Sequence, residues 1–456
     1  MVASFDGGDV TSDGGVLLLR AAAEKTRLVT SFVERVMRDY RDPGRVVHSL
    51  PELVTQRVLG MACGYEDLSD HDALRHDPLL ALAAGKRDLK GQRRRARDRG
   101  KALASSATLG RLERIPENPE LDRFARFDLD PELADDFFVD YFVASRRQQK
   151  GEEAPSWLVL DLDTSDIQLH GEQEGRHYHG HYHGYCYLPL YVYCGEHLLA
   201  VRLQTADADG ARNVVEVLER IVPKLRSAWP GVRILIRGDS GFSRDPIYAY
   251  CEANDVDYVI GIARNKVLQN NVAAELAEAK RLSEASGAAA RVYSEFRYRT
   301  KKTWSCERRV IAKAEYLGKA NPRFVVTSLP AEHASPQDVY ERGYCPRGEA
   351  ENRIKEQQLY LFGNRASAST MRANQVRLYF SALAYLLIQA VRGLGLRGTE
   401  LAQARADTIR LKLLKIGATV KVTTRKVWVR LSSHCPGADV FARARANLAA
   451  VPTLVM

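Results

Sequence analysis

The stretch Trp157-Leu-Val-Leu-Asp-Leu-Asp163 decides the fold of this 456-residue chain. It is a short apolar run that ends in acidic residues, a pattern typical of a buried β-strand. Residues 185–194 and 197–204 form two more strand-like runs, joined by the tight turn at Gly195-Glu196. This arrangement predicts an antiparallel hairpin that follows the first strand.

Helices and strands alternate after the hairpin. Residues 211–229 predict an amphipathic helix, residues 233–237 a buried strand that leads into Gly238-Asp239, residues 245–254 a second helix, and residues 258–262 a further strand. The apolar face of the first helix consists of Val214, Val217, Leu218, Ile221, Val222 and Leu225. Three antiparallel strands followed by two right-handed crossovers predict an α/β sheet of ribonuclease-H-like type.

The remaining chain divides around this core. We expect a helical N-terminal region over residues 1–145, the first part of the core over 150–265, a β-rich insertion over 266–335, and a last segment over 336–456. Within these segments the patterns predict one helical run at 15–36, short helices at 50–82 broken at 64–65, 70–71 and 77–78, long helices at 371–391 and 399–414, and a terminal hairpin at 420–431.

Basic residues exceed acidic ones by 67 to 57, which gives a formal net charge of +10 and favours a polyanionic partner, nucleic acid first. The densest run is 86–101, which contains Arg93, Arg94, Arg95 and Arg97. We interpret it as a DNA-binding arm, with a solvated basic loop as the alternative. The short helices at 50–82 fit a helix-turn-helix-like DNA-binding unit or a bundle without a DNA role.

Seven scattered cysteines without a C-x-x-C pair argue against a disulfide framework or a zinc ribbon. They favour a reducing cytosol. The N-terminus lacks the layout of a signal peptide, and the apolar run 376–391 is too short and too polar to span a bilayer. We therefore expect a cytoplasmic protein with no membrane partner.

The stretch Tyr340-Glu-Arg-Gly-Tyr-Cys-Pro-Arg-Gly-Glu-Ala-Glu-Asn-Arg-Ile-Lys355 supplies the third component of a candidate site. Pro346 suits the first turn of a helix, and the spacing of Arg347, Glu351 and Lys355 places them on one helix face. Aspartates end two of the predicted strands. Carboxylates that converge from separate elements can hold two metal ions for phosphoryl transfer, and their hard oxygens suit Mg²⁺, with Mn²⁺ as the alternative.

Four segments resemble the DDE transposases of bacterial insertion sequences, most closely the IS1380 family within the broad IS4-like group. They are Leu160-Asp-Leu-Asp-Thr-Ser-Asp166, Tyr185-Cys-Tyr-Leu-Pro-Leu-Tyr-Val-Tyr-Cys-Gly195, Ile236-Arg-Gly-Asp-Ser-Gly-Phe242 and Arg347-Gly-Glu-Ala-Glu-Asn-Arg-Ile-Lys-Glu356. The resemblance implies a ribonuclease-H-like core interrupted by a β insertion, DNA cleavage and joining with a divalent metal, and a homodimer that pairs two DNA ends.

By the same motifs, Asp163, Asp239 and Glu351 resemble the three catalytic, metal-binding acids. Asp161 lies on the same strand face as Asp163 and stays open as the first acid. Glu349 is a weaker rival to Glu351. The family signature Tyr-x-x-Arg-x-x-x-Glu is similar to Tyr344, Arg347 and Glu351, which implies contacts of Tyr344 and Arg347 with DNA.

The chain departs from that signature where a basic residue is expected, because Gln358 stands there. Lys355 lies one helical turn after Glu351 and is our candidate for the missing phosphate contact.

Two further features remain open. His177, His179, His181 and His183 alternate, which suggests either a zinc site or an exposed edge strand near DNA. Trp304 lies among cations and is interpreted either as a base-stacking residue or as a core residue.

The leading hypothesis is a transposase that binds terminal inverted repeats, cleaves DNA and joins the 3′-hydroxyl ends to target DNA. The alternatives are a metal-dependent nuclease with the same core, and a non-catalytic DNA-binding protein derived from a transposase. The resemblance implies a bacterial protein that is nucleoid-associated when bound to DNA.

Overall fold

The computed structural model describes residues 1, 3–4, 6–116 and 122–456. The chain forms two compact units, each built from several segments. The first unit comprises Met1–Glu153, Asp166–Tyr187 and Ile354–Met456, and the second comprises Ala154–Ser165 and Leu188–Arg353. Residues 2, 5 and 117–121 of the predicted N-terminal region lie outside the described residues.

Strands and helices both occur throughout the described part of the chain. The strands are β1 Val10–Thr11, β2 Met37–Asp39, β3 Phe127–Leu129, β4 Trp157–Thr164, β5 Ile167–Gln168, β6 His177–His179, β7 Gly184–Tyr187, β8 Leu190–Cys194, β9 His197–Arg202, β10 Arg233–Gly238, β11 Asp257–Ile262, β12 Ala290–Tyr298, β13 Arg308–Leu317, β14 Lys319–Ala320, β15 Arg323–Thr327, β16 Ala418–Val422 and β17 Val427–Leu431. The α-helices are α1 Val16–Thr26, α2 Leu28–Val36, α3 Leu50–Cys63, α4 Asp70–Leu74, α5 Pro78–Ala83, α6 Ser106–Glu113, α7 Pro131–Lys150, α8 Val214–Ala228, α9 Asp245–Ala253, α10 Lys266–Asn271, α11 Ala273–Ser286, α12 Pro336–Asp338, α13 Gly348–Lys355, α14 Met371–Ala390, α15 Ala406–Ile409 and α16 Ala438–Ala450.

The second unit is built on one large mixed sheet with the strand order β12-β13-β15-β11-β10-β4-β8-β9 among the described residues. β4, β10 and β11 run parallel to one another, while β8 is antiparallel to β4 and β9 to β8. These pairings are the predicted ones: a first strand, an antiparallel hairpin and two later parallel strands, with α8 and α9 in the two connections. The protein is therefore of the α/β class.

The segment between β11 and α12 extends the same sheet. β15 pairs antiparallel with β11, β13 pairs with β15, and β12 pairs with β13. The predicted strands of this segment are present, and α10 and α11 precede them. The strands of this β-rich segment therefore belong to the same sheet as β4 and β10, the strands that lead to Asp163 and Asp239.

The first unit is centred on α14, which is buried along nearly its whole length and packs against α3. The guanidinium groups of Arg57 and Arg377 both pair with the buried carboxylate of Glu113, at 2.6 and 2.8 Å, which ties α3 and α14 to α6. Among the described residues, Met371–Gly395 is long and apolar enough to cross a membrane by length and composition, and 94% of its apolar window is buried. It corresponds to the core helix predicted over 371–391.

Several predicted elements differ in their bounds. The helix predicted over 15–36 is interrupted at Arg27, whose left-handed backbone (φ 50°) separates α1 from α2. Asp70 and His71 begin α4 instead of breaking the chain. The helix predicted over 399–414 is confined to α15 and the π-helical turn Arg410–Leu414. The hairpin β16–β17 is followed by α16, which the sequence analysis missed.

The strand predicted over 185–194 is two strands. Pro189 has no N–H to donate to a ladder, and the chain changes sheets there: β7 pairs with β5 and β6, whereas β8 pairs with β4 and β9. The helix expected to open at Pro346 begins ten residues earlier at Pro336, where the hydroxyl of Ser335 accepts a hydrogen bond from the Asp338 N–H at 3.1 Å. Pro346 instead lies in a 3₁₀ turn, Cys345–Arg347, that follows the π-helical turn Val339–Tyr344.

Gly14 and Gly15 allow the N-terminal segment to approach the backbone that leads into β16. Their N–H groups donate to Ile416 and Leu414 at 2.7 and 3.1 Å. A Cβ atom on Gly15 would lie 1.7 Å from the carbonyl oxygen of Leu413, which no side chain can tolerate without a backbone shift.

We expect Gly15→Ala to lower the free energy of unfolding by about 3 kcal/mol, the upper end of the usual cost of overpacking, because the two backbones must separate. Gly417→Ala is the matched control, since a Cβ there meets nothing within 4 Å. Chemical denaturation of the two variants checks this. Equal stability of the two would contradict the close approach.

Candidate active site

Two of the predicted acids lie at the same edge of the sheet in the second unit. Asp163 is near the end of β4, and Asp239 directly follows β10. These strands are parallel neighbours, with Arg237 opposite Asp161, so Asp163 and Asp239, each two residues further along the chain, lie side by side at this edge. The sheet therefore brings together two acids that lie far apart in the sequence.

Arg347 connects the third acid to this edge. Its Nη1 atom donates to Oδ2 of Asp163 at 3.3 Å, and its Nη2 atom donates to Oε1 of Glu351 at 2.6 Å. The other oxygen of Asp163 accepts a hydrogen bond from the Thr164 N–H at 2.9 Å. One guanidinium group thus bridges a strand-end aspartate and the glutamate of α13.

Asp163 has an unusual protonation equilibrium. Burial raises the pKa of Asp163 to about 7, and the negative charges of Asp239 and Glu351 act in the same direction. Arg347 and the Thr164 N–H oppose this shift by stabilising the charged carboxylate. The charge of this group is therefore sensitive to small changes around neutral pH.

Asp239 also caps the turn that follows its strand. Its Oδ1 accepts a hydrogen bond from the Gly241 N–H at 2.8 Å and so caps the 3₁₀ turn Ser240–Phe242. Within the part of the chain that the structure describes, this oxygen is the one that takes part in the cap, and Oδ2 makes no hydrogen bond. The cap fixes the carboxylate at the strand end without using both of its oxygens.

Tyr344 is packed close to Asp239 through the absence of a side chain at Gly261. A Cβ atom on Gly261 would lie 2.6 Å from the Tyr344 hydroxyl and 3.3 Å from the backbone carbon of Asp239. The guanidinium carbon of Arg347 lies 6.0 Å from the centre of the Tyr344 ring. Burial raises the pKa of Tyr344, so its hydroxyl stays protonated at neutral pH.

Asp161 has a different environment from Asp163. Both of its oxygens accept hydrogen bonds from Arg237, from Nε at 2.6 Å and from Nη2 at 2.8 Å. The pair is buried. Sequence reasoning missed Arg237, although a charged residue within a buried strand and two positions before a candidate acid is a signal that could have identified it.

The donor atoms at this edge are carboxylate oxygens, which suit Mg²⁺ or Mn²⁺ in chemical type. Among the described residues, however, no group of three or more His, Cys, Asp and Glu side chains is arranged to hold a metal ion. The guanidinium of Arg347 lies between two of the candidate ligands. The carboxylate oxygens are of the chemical type that Mg²⁺ or Mn²⁺ binds. In this arrangement, the positive charge next to Asp163 and Glu351 is that of Arg347.

The remaining helix residues lie as follows. Glu349 and Lys355 are exposed on α13. Gln358 is buried, and its side-chain amide donates to the carbonyl of Asp166 at 3.3 Å in the first unit. Its position inside the first unit explains why an uncharged residue stands there.

The two open features of the sequence now have structural answers. Only His177–His179 is extended, and the backbone of His183 is left-handed at φ 53°, so the four histidines do not form one strand face. They form no metal-binding group within the described residues. Trp304 is 7% exposed and packs edge-on against Tyr248 and Tyr298. It is a core residue, and the base-stacking interpretation is wrong.

The basic run 86–101 is a folded loop with a 3₁₀ turn at Ala96–Asp98, not an extended arm. Lys86 pairs with Glu52 at 2.5 Å, and Arg94 donates to the carbonyls of Val47 and Ala102. The loop lines an open cleft of about 1400 Å³ in the first unit. The cations that line this cleft are Arg20, Arg27, Arg45, Lys86, Arg87, Arg93, Arg94, Arg95 and Arg97, and the acids are Glu24, Glu52, Asp88 and Asp98.

A sheet edge that gathers strand-end aspartates and a helix-borne glutamate defines an acid-rich site of the kind that metal-dependent phosphoryl-transfer enzymes use. The family model described as "Transposase DDE domain group 1" matches residues 1–453, and the chain belongs to this family. Enzymes of this family generally use a divalent metal ion. No curated protein matches the sequence.

Among solved structures, the chain is similar to the one described as "Cryo-EM structure of piggyBac transposase synaptic complex with hairpin DNA (SNHP)". The sequences are 11% identical, the TM-score is 0.41, and the match covers 96% of this chain and 85% of that chain.

We expect the carboxyl group of Asp163 to titrate near pH 7 in the protein without added metal. Glu351→Gln should lower its pKa by about one unit, because a repelling charge is removed, and Arg347→Met should raise it by a similar amount. Carboxyl NMR of ¹³C-aspartate-labelled protein, with Asp163→Asn for assignment, measures this. Shifts in the opposite directions would refute the geometry of the three groups.

Proposed function

We propose that this chain is the transposase of a bacterial insertion sequence of the IS1380 family, with a ribonuclease-H-like catalytic core. It binds the terminal inverted repeats of its element, cleaves DNA and joins the 3′-hydroxyl ends to target DNA. The single observation that carries the proposal is the contact of Arg347 with both Asp163 and Glu351, next to the strand end that holds Asp239. The strand order of the second unit and the family of the chain support it.

Asp163, Asp239 and Glu351 are the proposed catalytic acids and metal ligands, with Mg²⁺ as the proposed ion and Mn²⁺ as a substitute. These three acids would hold the ion, which would supply charge stabilisation at the phosphate and activation of the attacking oxygen. We choose Asp163 over Asp161 as the first acid because both oxygens of Asp161 already accept hydrogen bonds from Arg237. Glu351 is preferred over Glu349 because Glu351 contacts Arg347 and Glu349 is exposed.

Arg347 has a proposed role in binding a DNA phosphate near the cleaved bond. A guanidinium fork binds phosphate and carboxylate groups with the same geometry, so it can exchange one for the other. Tyr344, whose ring centre lies 6.0 Å from the guanidinium carbon of Arg347, is a proposed neighbouring contact with DNA. Lys355, which is exposed at the end of α13, is a proposed second phosphate contact.

The proposed DNA-binding region is the helical segment 1–145, with the cationic cleft as its main surface. The segments 150–265 and 266–335 form the proposed first part of the core and its β-rich insertion, and 336–456 carries the helix of Glu351 and the last core helices. We propose a homodimer that pairs two transposon ends, located in the cytoplasm and on the nucleoid when bound to DNA.

Substitution of Asp239 tests the catalytic role. Asp239→Asn should reduce cleavage of end-containing DNA by at least about 10³-fold, because a ligand charge is lost, while binding of the end DNA is retained. Asp255→Asn is the control, since Asp255 has a left-handed backbone (φ 51°) that asparagine also adopts. Gel-based cleavage and mobility-shift assays measure the two activities.

Unchanged cleavage by Asp239→Asn would refute the assignment. Strand transfer with pre-cut ends and a target plasmid then separates the transposase from a nuclease: a protein that cleaves ends but never joins them is the nuclease alternative. A protein that binds ends without cleaving them in Mg²⁺ or Mn²⁺ is the non-catalytic alternative.

The salt dependence of end binding tests the cleft. Arg87, Arg93 and Arg95 are exposed and line it. Their combined replacement by Gln should make the negative slope of log K against log salt shallower by up to about 3. The reason is that each lost phosphate contact removes about one released counterion. The control replaces Lys266, Lys280 and Arg281 by Gln, on the exposed helices α10 and α11. Equal slopes for the two triple variants would exclude the cleft as the main DNA surface.

A further inference from the structure

Arg237 joins three segments of the second unit through one buried side chain. It is 9% exposed, and its Nε and Nη2 atoms donate to the two oxygens of Asp161. The remaining guanidinium nitrogen, Nη1, donates to the backbone carbonyl of Gly343 at 3.2 Å. The guanidinium therefore binds β4 and the π-helical turn Val339–Tyr344 while its own backbone belongs to β10.

Each of these three segments carries one candidate acid a short distance further along the chain. Asp161 lies two residues before Asp163, Arg237 lies two residues before Asp239, and Gly343 lies eight residues before Glu351. Arg237 and Asp161 are also opposite each other in the register of the parallel strands. The spacing of the three acids is therefore linked to the geometry of a single guanidinium group.

The carbonyl of Gly343 is available to Arg237 for a reason that lies in the sequence. Pro346 is three residues further on, in the 3₁₀ turn Cys345–Arg347, and it has no N–H with which to complete an i→i+3 hydrogen bond to Gly343. Arg237 donates to this carbonyl at 3.2 Å.

Stability alone is a weak reason for such a pair. Removing a carboxylate and a guanidinium from water costs much of what their attraction returns, and apolar residues of similar volume often stabilise a core as well. A bidentate Arg–carboxylate pair does provide fixed direction and distance, which apolar contacts do not. A site whose chemistry depends on the separation of carboxylates benefits from that rigidity.

We propose that Arg237 is the positioning residue of the site: through Asp161 and the Gly343 carbonyl it holds the helix of Glu351 against the strand ends of Asp163 and Asp239. This inference rests on the proposed function of those three acids. Arg237 itself touches no reacting group, in contrast to Arg347, which contacts two of the acids directly.

The test compares Arg237→Met with Arg308→Met in the full-length chain. Arg308 is a comparable buried arginine, 3% exposed, which pairs with Asp245 and Glu252. It contacts none of the three candidate acids Asp163, Asp239 and Glu351. Both variants are measured below their unfolding temperatures. The readouts are thermal unfolding, Mn²⁺ affinity by EPR titration without DNA, and kcat and KM for cleavage of end-containing DNA.

We expect Arg237→Met to lower kcat by about 100-fold, the usual effect of a displacement of about 1 Å, and to weaken Mn²⁺ binding by about tenfold. KM for end DNA should change less than twofold. Arg308→Met should lose thermal stability but keep kcat and Mn²⁺ affinity within about twofold of the parent protein. Arg237→Lys should recover only part of kcat, because an ammonium group cannot make the bidentate contact.

If Arg237→Met does not fold, Asp161→Asn takes its place, since it keeps the shape and one acceptor oxygen. Equal effects of the Arg237 (or Asp161) and Arg308 variants on kcat and Mn²⁺ affinity would overturn the positioning role, even where Asp163→Asn abolishes cleavage. Failure of the proposed function is recognised separately, because Asp163→Asn would then leave cleavage and Mn²⁺ binding unchanged.

Discussion

The mutual repulsion of carboxylates at one sheet edge is the constraint that organises the second unit. Asp161, Asp163, Asp239 and Glu351 repel one another when they are ionised, and the partial burial of the edge strengthens this repulsion. Two guanidinium groups, Arg237 and Arg347, offset it. Arginine suits this role because it stays charged even when it is removed from water.

The side chains of the two arginines are similarly shielded from solvent, 11% exposed for Arg237 and 14% for Arg347, but their partners differ in exposure. Arg237 binds the buried carboxylate of Asp161 and the backbone carbonyl of the half-buried Gly343, so solvent has little access to its hydrogen bonds. Arg347 binds Glu351, whose side chain is 41% exposed, so solvent reaches this partner. The buried pair is suited to hold a fixed geometry, whereas the outer contact is suited to exchange partners.

Apolar packing, as well as charge, holds the helical stretch that leads to Glu351 against the sheet. Val339 and Tyr340, at the start of the helical stretch that leads to Glu351, pack on Leu235, Val259, Ile311 and Val325. Ile311 and Val325 belong to β13 and β15, strands of the β-rich segment. This segment therefore provides part of the surface on which the helix of Glu351 rests, which gives an apparent interruption of the core a structural role.

How much the sequence predicts depends on whether a feature is local. The strands β4, β10 and β11, the hairpin and the apolar face of α8 follow from patterns within about ten residues, and they were predicted correctly. Pro189, which separates β7 from β8, and Pro336, at which α12 begins, are local signals that the prediction did not use. The contact of Arg237 with Gly343, the room that Gly261 leaves for Tyr344, and the burial of Trp304 depend on residues distant in sequence, so composition and spacing could not reveal them.

The basic run shows the same limit for charge. Counted as letters, its arginines are equivalent, yet Arg94 is committed to backbone carbonyls while Arg93 and Arg95 are exposed to the cleft. Burial lowers the pKa of His48 to about 2, and the positive charges of Lys86 and Arg94 act in the same direction. A fold that concentrates cations in this way retains self-repulsion that a bound phosphate backbone would relieve. Binding of a polyanion in this cleft, as proposed above, would therefore stabilise the first unit, because a ligand that binds only the folded state stabilises it.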